Sequence, residues 1–153
     1  MIVYRLSKEK YCNDLSGKGA ELSGGRWNSK GTAMVYTSSS RALCTAEIAV
    51  HTPVALIPEN YYLVEIEVPD NPKIEEVSVS QLPAKWNQFP HSHETQRIGD
   101  QFIASSKLLL LKVPSAVVQG DFNYLINTQH ADFSKIKIRK TELFSFDERL
   151  FCR

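Results

Sequence analysis

The sequence predicts an α+β fold in which one twisted, mostly antiparallel sheet carries few helices. Three observations predict it. Only two segments, Arg41 to His51 and Glu94 to Ser106, space their apolar residues with a helical period. Most other structured segments are short apolar or alternating runs bounded by Gly, Pro, Asn or Ser, as strands are. No repeat, low-complexity tract or linker divides the 153 residues, so residues 1–153 read as a single domain.

In chain order, Met1 to Leu6 reads as a first strand and Ser7 to Gly25 as a polar, glycine-bearing loop. Ala33 to Thr37 is an apolar strand. Ser38-Ser39-Ser40 offers N-caps for the helix Arg41–His51, which Pro53 stops. Tyr61 to Val68 alternates, with Tyr62, Val64, Ile66 and Val68 on one face and Glu65 and Glu67 on the other. Lys73 to Val79 reads as a further strand, and Pro83 to Pro90 as irregular. The second helix, Glu94 to Ser106, places Ile98 and Phe102 on one buried face. Leu108 to Val113 suits an interior strand. Asp121 to Asn127, Ile136 to Lys140 and Glu142 to Phe146 complete a strand-rich second half, in which Lys135, Lys137 and Arg139 form a solvated face.

Composition narrows the function classes. Hydrophobic residues at 42% and charged residues at 23% fit a soluble globular chain. Lys plus Arg total 18 against 17 for Asp plus Glu, so no global field attracts nucleic acid or an anionic membrane. Cys12, Cys44 and Cys152 form no CxxC pair, and Cys44 sits in an apolar helical pattern as small core filler rather than a nucleophile. Arg5 and Lys8 fall where a signal peptide needs an apolar run, and no stretch is long enough to span a membrane. A cytoplasmic protein is expected. The four histidines have no metal-ligand spacing, and His51 reads either as part of a pocket wall or as a helix-end histidine favoured by the dipole.

Three residues stand out chemically. Leu43, Ala46, Glu47 and Val50 fall on one helical stripe, so Glu47 is a carboxylate among apolar neighbours. Such a group is either a structural ion pair or a functional acid. Gly24-Gly25-Arg26 bares backbone beside a guanidinium, which suits a bidentate grip on phosphate or carboxylate; it also suits a plain turn. Tyr36 lies inside an apolar strand and reads alone as core. Jointly, an arginine for a diphosphate, an aromatic face for a flat cationic ring and a carboxylate for a ribose match the needs of a nicotinamide dinucleotide. No GxGxxG after a strand and no P-loop is present, so such a ligand must be bound by another design.

The runs Gly24-Gly25-Arg26-Trp27-Asn28-Ser29-Lys30-Gly31-Thr32, Val35-Tyr36-Thr37-Ser38 and Ala46-Glu47-Ile48-Ala49-Val50-His51 resemble the signature of RES-domain proteins, the toxin halves of bacterial RES–Xre toxin–antitoxin pairs. The resemblance extends through Tyr4-Arg5, Val113-Pro114-Ser115-Ala116-Val117, Asn123-Tyr124-Leu125-Ile126-Asn127, His130 with Asp132-Phe133, and Phe146-Asp147-Glu148-Arg149-Leu150. Thr128 departs from it where the family often has proline. It implies an ADP-ribosyltransferase-like fold and cleavage of the nicotinamide–ribose bond of NAD, which depletes NAD by hydrolysis or phosphorolysis. Mono-ADP-ribosylation of a protein is the alternative. The family's arginine, glutamate and serine map onto Arg26, Glu47 and Ser115, with Tyr36 completing the catalytic set. Arg5, Gly25, Ser38, His51, Ser115 and Asn123 are the expected substrate contacts. NAD is a substrate here, and neither cofactor nor metal is expected. The implied partner is an Xre-type helix-turn-helix antitoxin that covers the site, with a tendency to dimerise. Two rivals remain at this stage: a small ribonuclease toxin, which the near-neutral charge disfavours, and a non-catalytic nucleotide-binding module.

Overall fold

In the computed structural model, which describes residues 1–151, seven strands form one sheet. They are β1 (Ile2–Lys8), β2 (Val35–Ser38), β3 (Tyr61–Glu67), β4 (Ile74–Glu76), β5 (Leu110–Pro114), β6 (Phe122–Ile126) and β7 (Lys137–Phe144). Their spatial order is β4-β5-β6-β2-β1-β3-β7, and only β4 and β5 run parallel. The helices are α1 (Lys18–Ser23), α2 (Arg41–His51) and α3 (His93–Ser105). The expected α+β class with a mostly antiparallel sheet is the observed one. Cys152 lies outside the described residues.

Alternation along the strands sorts the core onto two sheet faces. Val3, Val35, Val64, Ile66, Leu110 and Ile126 pack on one face, closed by Cys12, Leu15, Phe133 and Ile136 from the short connections. On the other face α2 sets Cys44 against Leu6 and Leu63. Beside it, α3 sets Phe102 and Ile103 against Leu111, Val113 and Leu125. Leu63 and Leu6 are register partners, as are Leu125 and Leu111, so each helix covers a matched pair of strands. Both helices are capped by serine: Ser40 accepts from Leu43 N and Ser92 from Glu94 N, each at 3.1 Å.

Several expectations are corrected. The loop Ser7–Gly25 contains the six-residue α1, which buries nothing and so leaves no apolar period to read. Gly24 ends it with φ +69°, a left-handed conformation that glycine tolerates. The two C-terminal strands are one, β7; a register shift opposite Glu65 and Ile66 skips Arg139 and breaks the alternation that would have joined them. The segment Lys73–Val79 contributes only three residues to the sheet. Of the stripe read along α2 only Leu43 is buried, with Cys44 beside it, and Val50 is 62% exposed.

Two features prepare a site. Strands β1 and β3 are joined through seven register pairs, whereas β1 and β2 meet at one, Tyr4 with Ser38, leaving the sheet open beside it. The loop between α1 and β2 is clamped from both sides. From β2, the Tyr36 hydroxyl accepts from Trp27 N (3.0 Å) and donates to Asn28 Oδ1 (2.7 Å). From α3, Gln96 donates to the Gly25 carbonyl and Asp100 accepts from Ser29 N. Gly99 lets the helix backbone press on Trp27, since a Cβ there would sit 1.6 Å from the Trp27 carbonyl oxygen.

Gly99→Ala therefore forces α3 off the loop. Overpacking of this kind costs about 1–3 kcal/mol, read as a fall in Tm; an unchanged Tm contradicts the close packing. Tyr36→Phe keeps the ring but leaves the Trp27 N–H and Asn28 Oδ1 without their partner. A loss of about 1–3 kcal/mol is expected from denaturant unfolding, whereas a neutral result means the hydroxyl clamp carries no load.

Candidate active site

A cleft of about 800 Å³ opens at the gap in the sheet, inside the size range of small-molecule sites. Arg5 from β1, Tyr36 from β2, Glu47, Val50 and His51 from α2, and Asn123 from β6 line it. Gly25 and Arg26 enter from the clamped loop, and Asn87, Phe89 and His91 close the far side. The three residues singled out from sequence thus share one cleft. A smaller recess of about 230 Å³ adjoins it and shares Arg5, Tyr36, Glu47, His51 and Asn123.

Glu47 emerges from α2 one turn past the buried Leu43 and Cys44. Among the described residues its partners are not cations, so the structural ion-pair reading does not hold there. Oε1 accepts from Asn123 Nδ2 at 2.8 Å and from Ser115 Oγ at 3.1 Å. Neutral donors orient a carboxylate at the cleft wall without pairing it with a cation.

Arg26 is half-buried, and burial lowers its pKa against the opposing pull of Glu47 and Tyr36. Its Nη1 donates to the carbonyls of Trp86 (2.6 Å) and Gln88 (3.1 Å), tethering the segment that carries Asn87, Phe89 and His91. A guanidinium has five N–H donors, so Nε and Nη2 remain for a ligand. Arg5 donates to the Asp14 carbonyl at 2.6 Å, and burial lowers its pKa as well. Burial raises the Tyr36 pKa far above its ordinary value, so the phenol stays protonated, as its donation to Asn28 requires.

The remaining expected contacts divide. Asn123 and the exposed His51 line the cleft. Gly25 does too, but its missing Cβ makes room for Tyr36, whose hydroxyl would lie 2.8 Å away, and not for a ligand. Ser38 and Ser115 are buried at 6% and 5% exposure, and their hydroxyls donate to Asn123 Oδ1 and Glu47 Oε1. Both stand behind the carboxylate. Cys44 is buried and its thiol is pushed up to about 11 by burial, which suits core filler and not a nucleophile.

Sequence reasoning missed His91. Its pKa is lowered by burial, then by Arg26 and His51, so the ring is neutral. Nδ1 is buried with no partner among the described residues. Nothing in the polar run Pro90-His91-Ser92-His93 signals this, because the burial arises only from the tertiary fold. No group of three metal-ligating side chains occurs among the described residues. No helix there is long and apolar enough to cross a membrane.

Comparison with known proteins bears on this cleft. The chain is 36% identical over 152 residues to Toxin Res of Photorhabdus laumondii, covering 98% of this chain and 97% of that one. It is 43% identical over 140 residues to the Prs ADP-ribosylating toxin of a Sphingobium species, covering 90% and 87%. The fold matches a chain of the M. tuberculosis MbcT–MbcA toxin–antitoxin complex with a TM-score of 0.71 and 18% identity, over 98% of this chain and 86% of that one. The RES domain family model matches residues 2–147, and with that extent of match the chain belongs to the RES-domain family.

Proposed function

We propose that this protein is the toxin of a toxin–antitoxin pair and cleaves the nicotinamide–ribose bond of NAD in the Glu47–Arg26 cleft. The observation that carries the reading is the Glu47 carboxylate, oriented by Ser115 and Asn123, unneutralised, and facing the same space as Arg26 and Tyr36. Cleavage breaks the C1′–N bond, and the bonding pair leaves with nicotinamide, turning the cationic ring into a neutral molecule. The ribose is left oxocarbenium-like, and a carboxylate fixed beside it stabilises that charge as it develops. Arg26, through its free Nε and Nη2 donors, and Arg5 meet the pyrophosphate; the Tyr36 ring bounds the ribose and nicotinamide pocket. The acceptor's lone pair then attacks C1′ and the acceptor loses a proton.

With water or phosphate as acceptor the product is ADP-ribose or its phosphorylated form, and NAD is depleted. A protein side chain as acceptor is the second reading, supported by the name of the Sphingobium relative. In either case the open cleft calls for restraint in the producing cell. Val50 (62% exposed) and Phe89 (81%) line it, an apolar surface of the kind a protein partner covers. An Xre-type helix-turn-helix antitoxin is the partner proposed, and the cytoplasm the place of action.

Purified protein incubated with NAD is expected to release nicotinamide, and chromatography with and without inorganic phosphate identifies the acceptor. Glu47→Gln lowers the rate roughly 10²- to 10³-fold, the scale for losing one preorganised electrostatic group, while Tm is retained. Intact NAD beside degraded RNA would replace this reading with a ribonuclease; saturable NAD binding without nicotinamide release would replace it with a binding module.

A further inference from the structure

Ser38, Asn123 and Ser115 form a hydrogen-bonded frame behind Glu47 in which every donor has one destination. A hydroxyl has one proton and two lone pairs. Both Ser115 lone pairs are taken, by Val117 N at 3.1 Å and Val118 N at 3.0 Å, so its proton can go only to Glu47 Oε1. Asn123 is fixed at both ends of its amide: Oδ1 accepts from Ser38 Oγ at 2.9 Å and Nδ2 donates to Glu47 Oε1 at 2.8 Å. Ser38 and Asn123 are register partners across β2 and β6, so the sheet itself sets their separation. Both donors converge on one oxygen, and Oε2 has no protein partner among the described residues.

We infer that Ser38, Asn123 and Ser115 are positioning residues, which act through Glu47 by holding Oε1 so that Oε2 alone is presented to the cleft. Ser38 is the outermost member: buried, and removed from Glu47 by one amide, it keeps the Asn123 side chain from swinging into the adjoining recess. The kinetic consequence rests on the proposed NAD cleavage, but the locked geometry does not. A frame that only aims the carboxylate contributes to the transition state and leaves binding of the ground-state dinucleotide almost untouched.

The test uses the full chain and NAD. Ser38→Ala and Ser115→Ala are expected to lower kcat for nicotinamide release by roughly 10- to 100-fold, the range for hydrogen bonds to a charged group. KM for NAD stays within about twofold of wild type if binding is untouched. Ser38→Thr, which keeps the hydroxyl, recovers much of the loss. In an Asn123→Ala background, Ser38→Ala adds nothing, because its route to Glu47 is already cut. A raised KM with kcat retained, or additive losses in the double variant, overturns the inference and makes these residues direct substrate contacts. If Ser38→Ala does not fold, the near-isosteric Asn123→Asp still accepts from Ser38 but cannot donate to Glu47; wild-type kcat in that variant is equally fatal. The Asn123 side-chain amide resonances provide a readout independent of NAD. They are expected to move in both Glu47→Gln and Ser38→Ala, and their indifference to Ser38→Ala refutes the lock even if NAD is cleaved. Failure of wild type to release nicotinamide, with the amide responding as expected, instead refutes the proposed function and leaves the frame standing.

Discussion

One carboxylate oxygen gathers three distant parts of the chain. Glu47 Oε1, on a helix, receives its two hydrogen bonds from residues 68 and 76 positions away, one just past β5 and one within β6. The chemical character of those donors decides what the cleft can do. A guanidinium in their place would satisfy the half-buried charge and spend it. An amide and a hydroxyl satisfy part of its hydrogen-bonding need and leave the negative charge in force. The Glu47 carboxylate acts on Arg26 across the cleft without forming an ion pair with it. The site therefore keeps two opposite charges close but unspent, a state that persists only where the surrounding fold holds both side chains still.

Holding Arg26 still is the task of the clamped loop. Tyr36 grips it from the sheet, while Gln96, Gly99 and Asp100 grip it from one face of α3, a single turn apart. Arg26 in turn grips the segment beyond it, through the Trp86 and Gln88 carbonyls and with its guanidinium 6.0 Å from the Trp86 ring centre. The far wall of the cleft, with Phe89 and His91, is consequently built on a residue of the near wall. A substitution at Arg26 removes a positive charge and loosens that wall together, so its effect on activity mixes two causes. Glu47 gives the cleaner reading, because its removal leaves Ser115 still bonded to the Val117 and Val118 N–H groups.

The strand and helix pattern was legible where one element covers one face. Helix α2 ends at His51 as read, α3 lies one residue from its expected span, and Leu110–Pro114 is an interior strand. It was illegible where local pattern and tertiary setting part company. Arg139 slips out of register and splits one strand into two in the sequence, and α1 lacks any buried residue to mark it. Arg26, Tyr36 and Glu47 stood out because each breaks a local rule: a bare glycine turn, a phenol among apolar residues, an acid on an apolar stripe. Why Glu47 breaks it was misjudged, since α2 leaves the core after its first turn and the acid lies at a wall, not in the interior. His91 broke no rule in sequence; only the fold buries it.

The near-zero net charge also takes on a different meaning in the structure. Eighteen basic and seventeen acidic side chains nearly cancel over the molecule, which argued against any strong field. Within the cleft opposite charges meet: Arg5 and Arg26 are its cationic side chains and Glu47 its anionic one, and the uncharged Tyr36 and Asn123 line it with them. A uniformly basic cleft would attract any polyanion, nucleic acid included, and an acidic one would repel a diphosphate. A divided cleft favours a ligand divided in the same way, anionic at its phosphates and cationic at its ring. Departure of that ring as a neutral molecule shifts the positive charge onto the ribose beside Glu47, so the same carboxylate that helps select the ligand is stationed where charge appears during the reaction.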